Sequence, residues 1–498
     1  MSFSYFSQTP LFLVPELFFG LCLVIFLCLG LFFSAVVSNW KVQNLNILSF
    51  SNDFLQLGIF VSIFTIGLFT LNQVETVLFD NHFVQNFFLT NNKTILLFLL
   101  ISTFCLSLDY YKYEGLDLFE YPLLKMLALF MTFFVISSNS FIAFYMALEA
   151  QSLILYILAA FARKNELSTE AGIKYFILGV LASGMLLLGI VLIYMSYGTF
   201  MFEDIAILNH HLIVKPVLVE LGSVLIVSAL MFKLGAAPFH VWIPDVYEGS
   251  PLPSTIFFAT AIKFTTLIIL IRLFTTIFMQ VDASYYVVFL CAFTSLFVGS
   301  IGTLRQTKLK RFVAYSGIVH VGFMLLCLCS LESAYALQAF FFYILLYMIT
   351  TVGFFGIVGS MRPLSDCSYR SIYFIEFSHL AQKNLLLSVS GMIFIASMAG
   401  IPPLSGFFAK FYVLFATVDS RNFFLAMVAL ILSVLSMFYY LRIIRIMWFD
   451  PSLTNWISYR PPERLCSLLI SISVFIIVAY FFEPAILTEL FFIMFETI

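Results

Sequence analysis

Three lysines, Lys233, Lys263 and Lys410, sit inside strongly apolar runs, and Glu149 lies in the middle of another, SFIAFYMALEAQSLILYILAAF. A lysine near the centre of a bilayer costs about 2.5–3.5 kcal/mol on insertion scales, so an intramembrane lysine marks an ion or proton path unless it snorkels. Lys263 and Lys233 have long apolar stretches on both sides, whereas Lys410 is within reach of a boundary near Asp419. A glutamate is too short to reach the surface from mid-span. The expected arrangement is Glu149 facing Lys233 from another helix. Burial disfavours a charged ammonium and a nearby carboxylate restores it, so moving the carboxylate would load or release a proton. The competing reading of Glu149 is a protonated acid hydrogen-bonded across a helix interface.

Between Lys233 and Lys263 the chain is punctuated by Pro238, Pro244, Pro251 and Pro253, and the break carries His240, Asp245 and Glu248. Proline removes a backbone donor and resists helix. Irregular backbone at membrane depth survives only when protein or a water-filled cavity surrounds it. A second break, Gly400-Ile401-Pro402-Pro403, lies seven residues before Lys410. His240 follows Lys233 by seven residues, on the same face if the helix persisted past Pro238. His320 falls about a third of the way into its span. Imidazole relays protons near neutrality, and helix packing is the competing role for each histidine. Glu170 and Lys174 form an i,i+4 pair in the favourable order, suited either to plain helix stabilisation or to proton uptake. The cluster Arg305, Lys308, Lys310 and Arg311 reads as a topology determinant with an anionic-lipid contact. His210 and His211 fall in a loop and receive no role.

These residues need a membrane scaffold. The chain has 498 residues, 62% hydrophobic and 10% charged, with a net charge of −2, and a mean hydropathy of +1.07. Such a composition defines a polytopic all-α membrane protein and argues against nucleic acid as a partner. The eight scattered cysteines offer no metal-ligand spacing. No cleavable presequence is expected, because MSFSYFSQTPLF lacks a basic segment and the following apolar run is long enough to span. The abundance of Phe suggests an AT-rich, mitochondrion-like genome.

Runs of spanning length predict about fourteen transmembrane helices. Lysine and arginine collect in alternate loops: Lys41, Lys112, Lys125, Arg163, Lys164, the Arg305–Arg311 cluster, Arg362, Arg370, Lys383, Arg442, Arg445, Arg460 and Arg464 fall on one side. Lys93, Lys215 and Arg421 fall on the other, and Arg272 is expected to snorkel that way. The positive-inside rule puts the first set in the matrix or cytoplasm and both termini opposite. The expected organisation is three N-terminal helices in 1–120, five-helix repeats in 121–279 and 284–447, and a last helix in 448–498. The seventh and twelfth spans are interrupted. Breaks at the fourth helix of each five-helix set predict inverted repeats with the transport site at the breaks.

There is no GxGxxG, Walker or HExxH sequence, so hydride transfer, ATP hydrolysis and zinc hydrolysis have no visible seat. By contrast, FKLGAAPFHVWIPDVYEGSP, LKRFVAYSGIVHVGF and AGIPPLSGFFAKFYV closely resemble the antiporter-like subunits of respiratory complex I. ALEAQSLILY and STEAGIKYFILG look most like the N-type members of that family, and Lys410 stands where M-type members carry a glutamate. The resemblance runs from the fifth helix to the thirteenth. It implies proton translocation through Lys233, Lys263 and Lys410, gated by Glu149, with Glu170, Lys174, His240 and His320 along a hydrated axis. It implies no cofactor in this chain, with NADH, FMN, iron–sulfur clusters and ubiquinone in partner subunits. The implied partners are other membrane-arm subunits and lipids such as cardiolipin, in the mitochondrial inner membrane. The alternatives are an Mrp-type cation/proton antiporter and a plastid-type relative.

Overall fold

The computed structural model describes residues 13–40, 48–72, 75–114, 118–211, 215–361, 373–378, 380–450 and 462–484. Lys41, Arg362, Arg370 and Arg460 lie outside them. Among the described residues, thirteen helices are long and apolar enough to cross a membrane. The one expected span missing from these thirteen, the twelfth, is delivered as two half-length helices. The three N-terminal helices are α1 (Val14–Trp40), α2 (Leu48–Leu71) and α3 (Phe87–Glu114). A short antiparallel hairpin, β1 (Thr76–Leu78) and β2 (Phe83–Gln85), joins the last two, an element the hydropathy pattern did not announce.

The first five-helix set contains α4 (Glu120–Ser137), α5 (Phe141–Ala159), α6 (Glu166–Tyr197), the broken pair α8 (Val217–Leu234) and α9 (Trp242–Gly249), and α10 (Leu252–Thr276). A surface helix, α7 (Phe202–His211), lies before α8, so His210 and His211 end a helix rather than occupy a loop. The second set contains α11 (Asp282–Leu304), α12 (Leu309–Cys329), α13 (Ala336–Ser360), the broken pair α14 (Leu385–Ala399) and α15 (Ser405–Asp419), and α16 (Phe423–Trp448). Helix α17 (Arg464–Phe482) follows.

The two breaks are built alike. Helix α8 stops at Gly235, φ 71°, and α14 stops at Gly400, φ 83°, both in the left-handed region that glycine enters without a Cβ clash. In each, the next amide reaches back five residues: Ala236 to the Met231 carbonyl at 3.0 Å and Ile401 to the Ala396 carbonyl at 3.1 Å. This closure satisfies the orphan carbonyls of a helix end. Each glycine is followed three residues later by a proline, Pro238 or Pro403. At the first break a Cβ on Gly235 would lie 1.6 Å from Ile243 Cδ1, so side-chain packing also demands glycine there.

Helices α10, α12 and α13 are almost wholly buried and form the centre, while α1, α2, α16 and α17 expose most of their apolar surface. Helix α6 crosses α8 closely through Gly189 and Gly222, where a Cβ on either would come within 2.8 Å of the other's carbonyl oxygen. Small residues permit this approach in membranes, and it fixes α8, the carrier of Lys233.

Candidate functional site

Lys263 and Lys410 are buried against the central helices α12 and α13. Lys263 opens the regular part of α10 directly after a π-helical turn at Phe258–Ile262. Such turns re-aim a side chain within a helix and recur at functional sites. Its ammonium lies 3.5 Å from Tyr347 Oη on α13 and 5.8 Å from the centre of the Tyr247 ring. It also passes beside Gly317, where a Cβ would meet Nζ at 2.8 Å. His320 on α12 packs its ring 5.0 Å from that of Tyr347 and bonds two more tyrosines, Nδ1 to Tyr343 Oη at 2.8 Å and Nε2 to Tyr440 Oη at 3.2 Å. It lies in the electrostatic fields of both Lys263 and Lys410. Beyond it, the Tyr343 ring stacks on Phe323, and Lys410 Nζ sits 5.6 Å from the centre of the Phe323 ring.

The run Lys263, Tyr347, His320, Tyr343 thus carries exchangeable protons, and Phe323 contacts both Tyr343 and Lys410. All six side chains are buried. Lys410 does not snorkel: its ammonium donates to the Ala399 carbonyl, the last residue of α14, at 2.8 Å. A cation there is favoured by the negative end of a half-helix. Lys233 occupies the last turn of α8, the matching half.

The expected Glu149–Lys233 contact takes a different form. Lys233 Nζ approaches the backbone carbonyl of Leu148 at 3.4 Å, and the Glu149 carboxylate, one residue on, acts through its field rather than by direct contact. Both residues are half-buried. Gln151, Ser152, Tyr156, Tyr175 and Lys233 line a narrow cavity that reaches Thr266 on α10, the helix of Lys263.

His240 does not share a face with Lys233, because α8 ends at Leu234; it stands half-buried in the break, its ring 6.5 Å from that of Tyr315. The structure does not join it to the Lys263–His320 group. Glu170 and Lys174 do pair, at 2.7 Å, but Lys174 also binds Asp245 Oδ2 at 2.8 Å. Asp245 in turn meets Arg311 at 3.2 Å, and Glu248 binds both Arg311 and Lys308. Lys308 and Arg311 of the basic cluster read as a topology signal are therefore tied into an ion-pair network linking α6, α9 and α12.

Two further cations differ from expectation. Arg272 reaches toward the expected side but ends on protein: it donates to the carbonyls of Ile136 at 2.9 Å and Ser138 at 2.6 Å and to Asn139 Oδ1 at 3.1 Å, closing the end of α4. Lys125, counted with the loops, is fully buried; its ammonium has no hydrogen-bond partner and lies 4.8 Å from the centre of the Tyr121 ring and 5.9 Å from that of Phe104. The tyrosines around His320 also escaped the sequence reading. Their one signal is the i,i+4 spacing of Tyr343 and Tyr347, which puts both on one face of α13.

Fold and site together define a multi-spanning membrane protein with two matched broken-helix units and a line of buried ionisable groups between them. The chain belongs to the NADH:quinone oxidoreductase/Mrp antiporter membrane family, whose model matches residues 138–436. It is 39% identical over 413 residues to NADH-quinone oxidoreductase subunit N of Paramagnetospirillum magneticum, covering 82% of this chain and 83% of the relative. It is 37% identical over 438 residues to NADH-ubiquinone oxidoreductase chain 2 of Marchantia polymorpha, covering 86% and 87%. Among solved structures it superposes on a chain of respiratory complex I from Thermus thermophilus with TM-score 0.78, 24% identity and coverage of 95% and 98%. The Mrp complex from Dietzia sp. DQ12-45-1b has a chain of the same fold, with TM-score 0.74, 20% identity and coverage of 94% and 95%.

Proposed function

We propose that this chain is a proton-translocating subunit of the membrane arm of an NADH:quinone oxidoreductase. The observation that carries the reading is the buried run Lys263–Tyr347–His320–Tyr343, flanked by Lys410 at one broken helix and Lys233 at the other. Protons pass between the lysines through hydroxyl and imidazole groups and intervening water, and the charge of Glu149 biases Lys233. Water or side-chain movement completes the path to Lys410 beside Phe323, which touches both Tyr343 and Lys410. Moving one charge against the membrane potential takes about 2.3 kcal/mol per 100 mV, so the drive comes from redox chemistry in partner subunits, which hold the NADH, FMN, iron–sulfur and quinone sites. The identity to bacterial N subunits and plant chain 2 supports membership of that enzyme over an Mrp-type antiporter, which shares the fold at lower identity. The alternation of basic loops supports an orientation with the basic side in the matrix or cytoplasm and both termini opposite, and the likeness to plant chain 2 supports the mitochondrial inner membrane as the setting.

The test is Lys263→Met in the assembled complex, with protons translocated per NADH oxidised as the readout. An unchanged ratio would sink the proposal. Co-purification with flavin and iron–sulfur chains separates the enzyme subunit from a free antiporter.

A further inference from the structure

Helices α1 and α3 lie outside the matched family region, yet they contain a buried ion pair. Lys93 Nζ meets Glu16 Oε1 at 2.6 Å, with side-chain exposures of 2% and 5%. The ammonium also lies 5.7 Å from the centre of the Phe69 ring. Burying two charges costs several kcal/mol per ion, and apolar residues of similar volume commonly replace such a pair without loss of stability. A purely structural purpose therefore explains it poorly.

The surroundings supply a second observation. Glu16, Lys93 and Gln85 line a small cavity with Leu78, Phe133 and Ser137. The second carboxylate oxygen, Glu16 Oε2, and the amide oxygen Gln85 Oε1 are buried there without a hydrogen-bond partner. Both are acceptors, so the fitting occupant is a donor. A metal cation would add charge to a pocket already balanced by Lys93, whereas a water donates two hydrogens and adds none.

The pocket has a fixed roof. Gln85 ends the β hairpin, which pairs Phe83 with Ser138, receives the Asn139 amide on the His82 carbonyl at 2.8 Å, and bonds His82 Nδ1 to Ser140 Oγ at 2.8 Å. That clasped junction between α4 and α5 is also where Arg272 ends, nine residues after Lys263 on α10. The pair thus sits beside the end of the first repeat opposite the Asp245–Arg311 network.

We propose that Glu16, Lys93 and a water held by Gln85 form a further proton-binding site, on the release side of the first repeat. Glu16 Oε2 takes one proton delivered to that end of the first repeat, leaving a neutral acid beside the Lys93 ammonium. It then returns the proton to the outer aqueous phase, so the site cycles with no other bond changed.

The inference rests on the proton-translocating reading, and the experiment keeps the two apart. Four variants of the whole complex are compared: Lys263→Met, Glu16→Gln, Gln85→Leu and the paired apolar change Glu16→Leu/Lys93→Met. The expected result is that Glu16→Gln and Gln85→Leu assemble, oxidise NADH, and translocate fewer protons per NADH. A carboxyl C=O band should also disappear from the infrared difference spectrum of Glu16→Gln. Full pumping by Glu16→Leu/Lys93→Met overturns the site while leaving the function intact, provided Lys263→Met has lost pumping. If the double variant fails to assemble, the Glu16→Gln proton ratio and infrared band decide, and normal values for both overturn the site. Normal pumping by Lys263→Met overturns the functional reading itself.

Discussion

Lys410 reaches back from α15 across the second break and donates to the Ala399 carbonyl of α14 at 2.8 Å. The contact joins the two halves of a broken helix through the charge that is expected to move. Replacing Lys410 with Met removes the exchangeable proton but keeps the volume. Loss of a positioned proton carrier commonly costs about 10²–10⁴-fold in rate, so pumping should fall sharply while NADH oxidation is uncoupled or slowed. Proton flux in proteoliposomes measures it, and wild-type flux would contradict the assignment.

Gly400 stands against the same side chain: a Cβ there would meet Lys410 Cδ at 2.9 Å, and φ is 83°. Gly400→Ala should therefore displace Lys410 and weaken pumping with the complex still assembled. Gly235→Ala should be worse, because its Cβ would fall 1.6 Å from Ile243 Cδ1. The left-handed backbone alone costs a non-glycine residue about 1–2 kcal/mol. The amount of subunit recovered in the purified complex compares the two.

Phe323 touches both Tyr343 and Lys410 and carries no exchangeable proton. Phe323→Ala should open this point to water and raise passive proton leak, seen as faster decay of an imposed pH gradient. A tight membrane in this variant would show that Phe323 does not limit the path.

His320 has both ring nitrogens bonded to tyrosine hydroxyls, at 2.8 and 3.2 Å. Tyr343→Phe leaves one buried nitrogen unpaired, a penalty of about 1–3 kcal/mol. Proton transfer should slow more in Tyr343→Phe than in Tyr440→Phe, whose bond is longer. Flux measurements on the two variants rank them.

Glu248 accepts from both Lys308 and Arg311 and is only 13% exposed. Glu248→Gln removes the negative charge shared by Lys308 and Arg311, three residues apart at the start of α12. The assembled complex should lose stability by about 1.5–3 kcal/mol, the range for hydrogen bonds to charged groups. Thermal dissociation in detergent would register the loss.

The membrane class, the span positions and both interrupted helices were legible in the sequence, because hydropathy over about 20 residues and Gly/Pro punctuation are local properties. Lys263 and Lys410 were legible too, since a charge within an apolar run is costly wherever the run packs. The partners were not. Asp245 and Arg311 are 66 residues apart in the chain, and Lys93 and Glu16 are 77 apart.

The sequence alone determined that ammonium groups and broken helices would lie within a bilayer, through composition, spacing and the energetics of burying charge. Tertiary structure alone decided that α10, α12 and α13 are central, that Tyr347 and Tyr343 flank His320, and that Lys233 meets a carbonyl before a carboxylate. The central helices α10, α12 and α13 have mean hydropathies of 2.0–2.1 and the lipid-exposed α2 has 2.1, so hydropathy alone does not choose which helix faces lipid and which faces the core. That choice is made by close crossings such as Gly189 with Gly222 and by hydrogen bonds between distant segments, neither of which a single stretch of chain encodes.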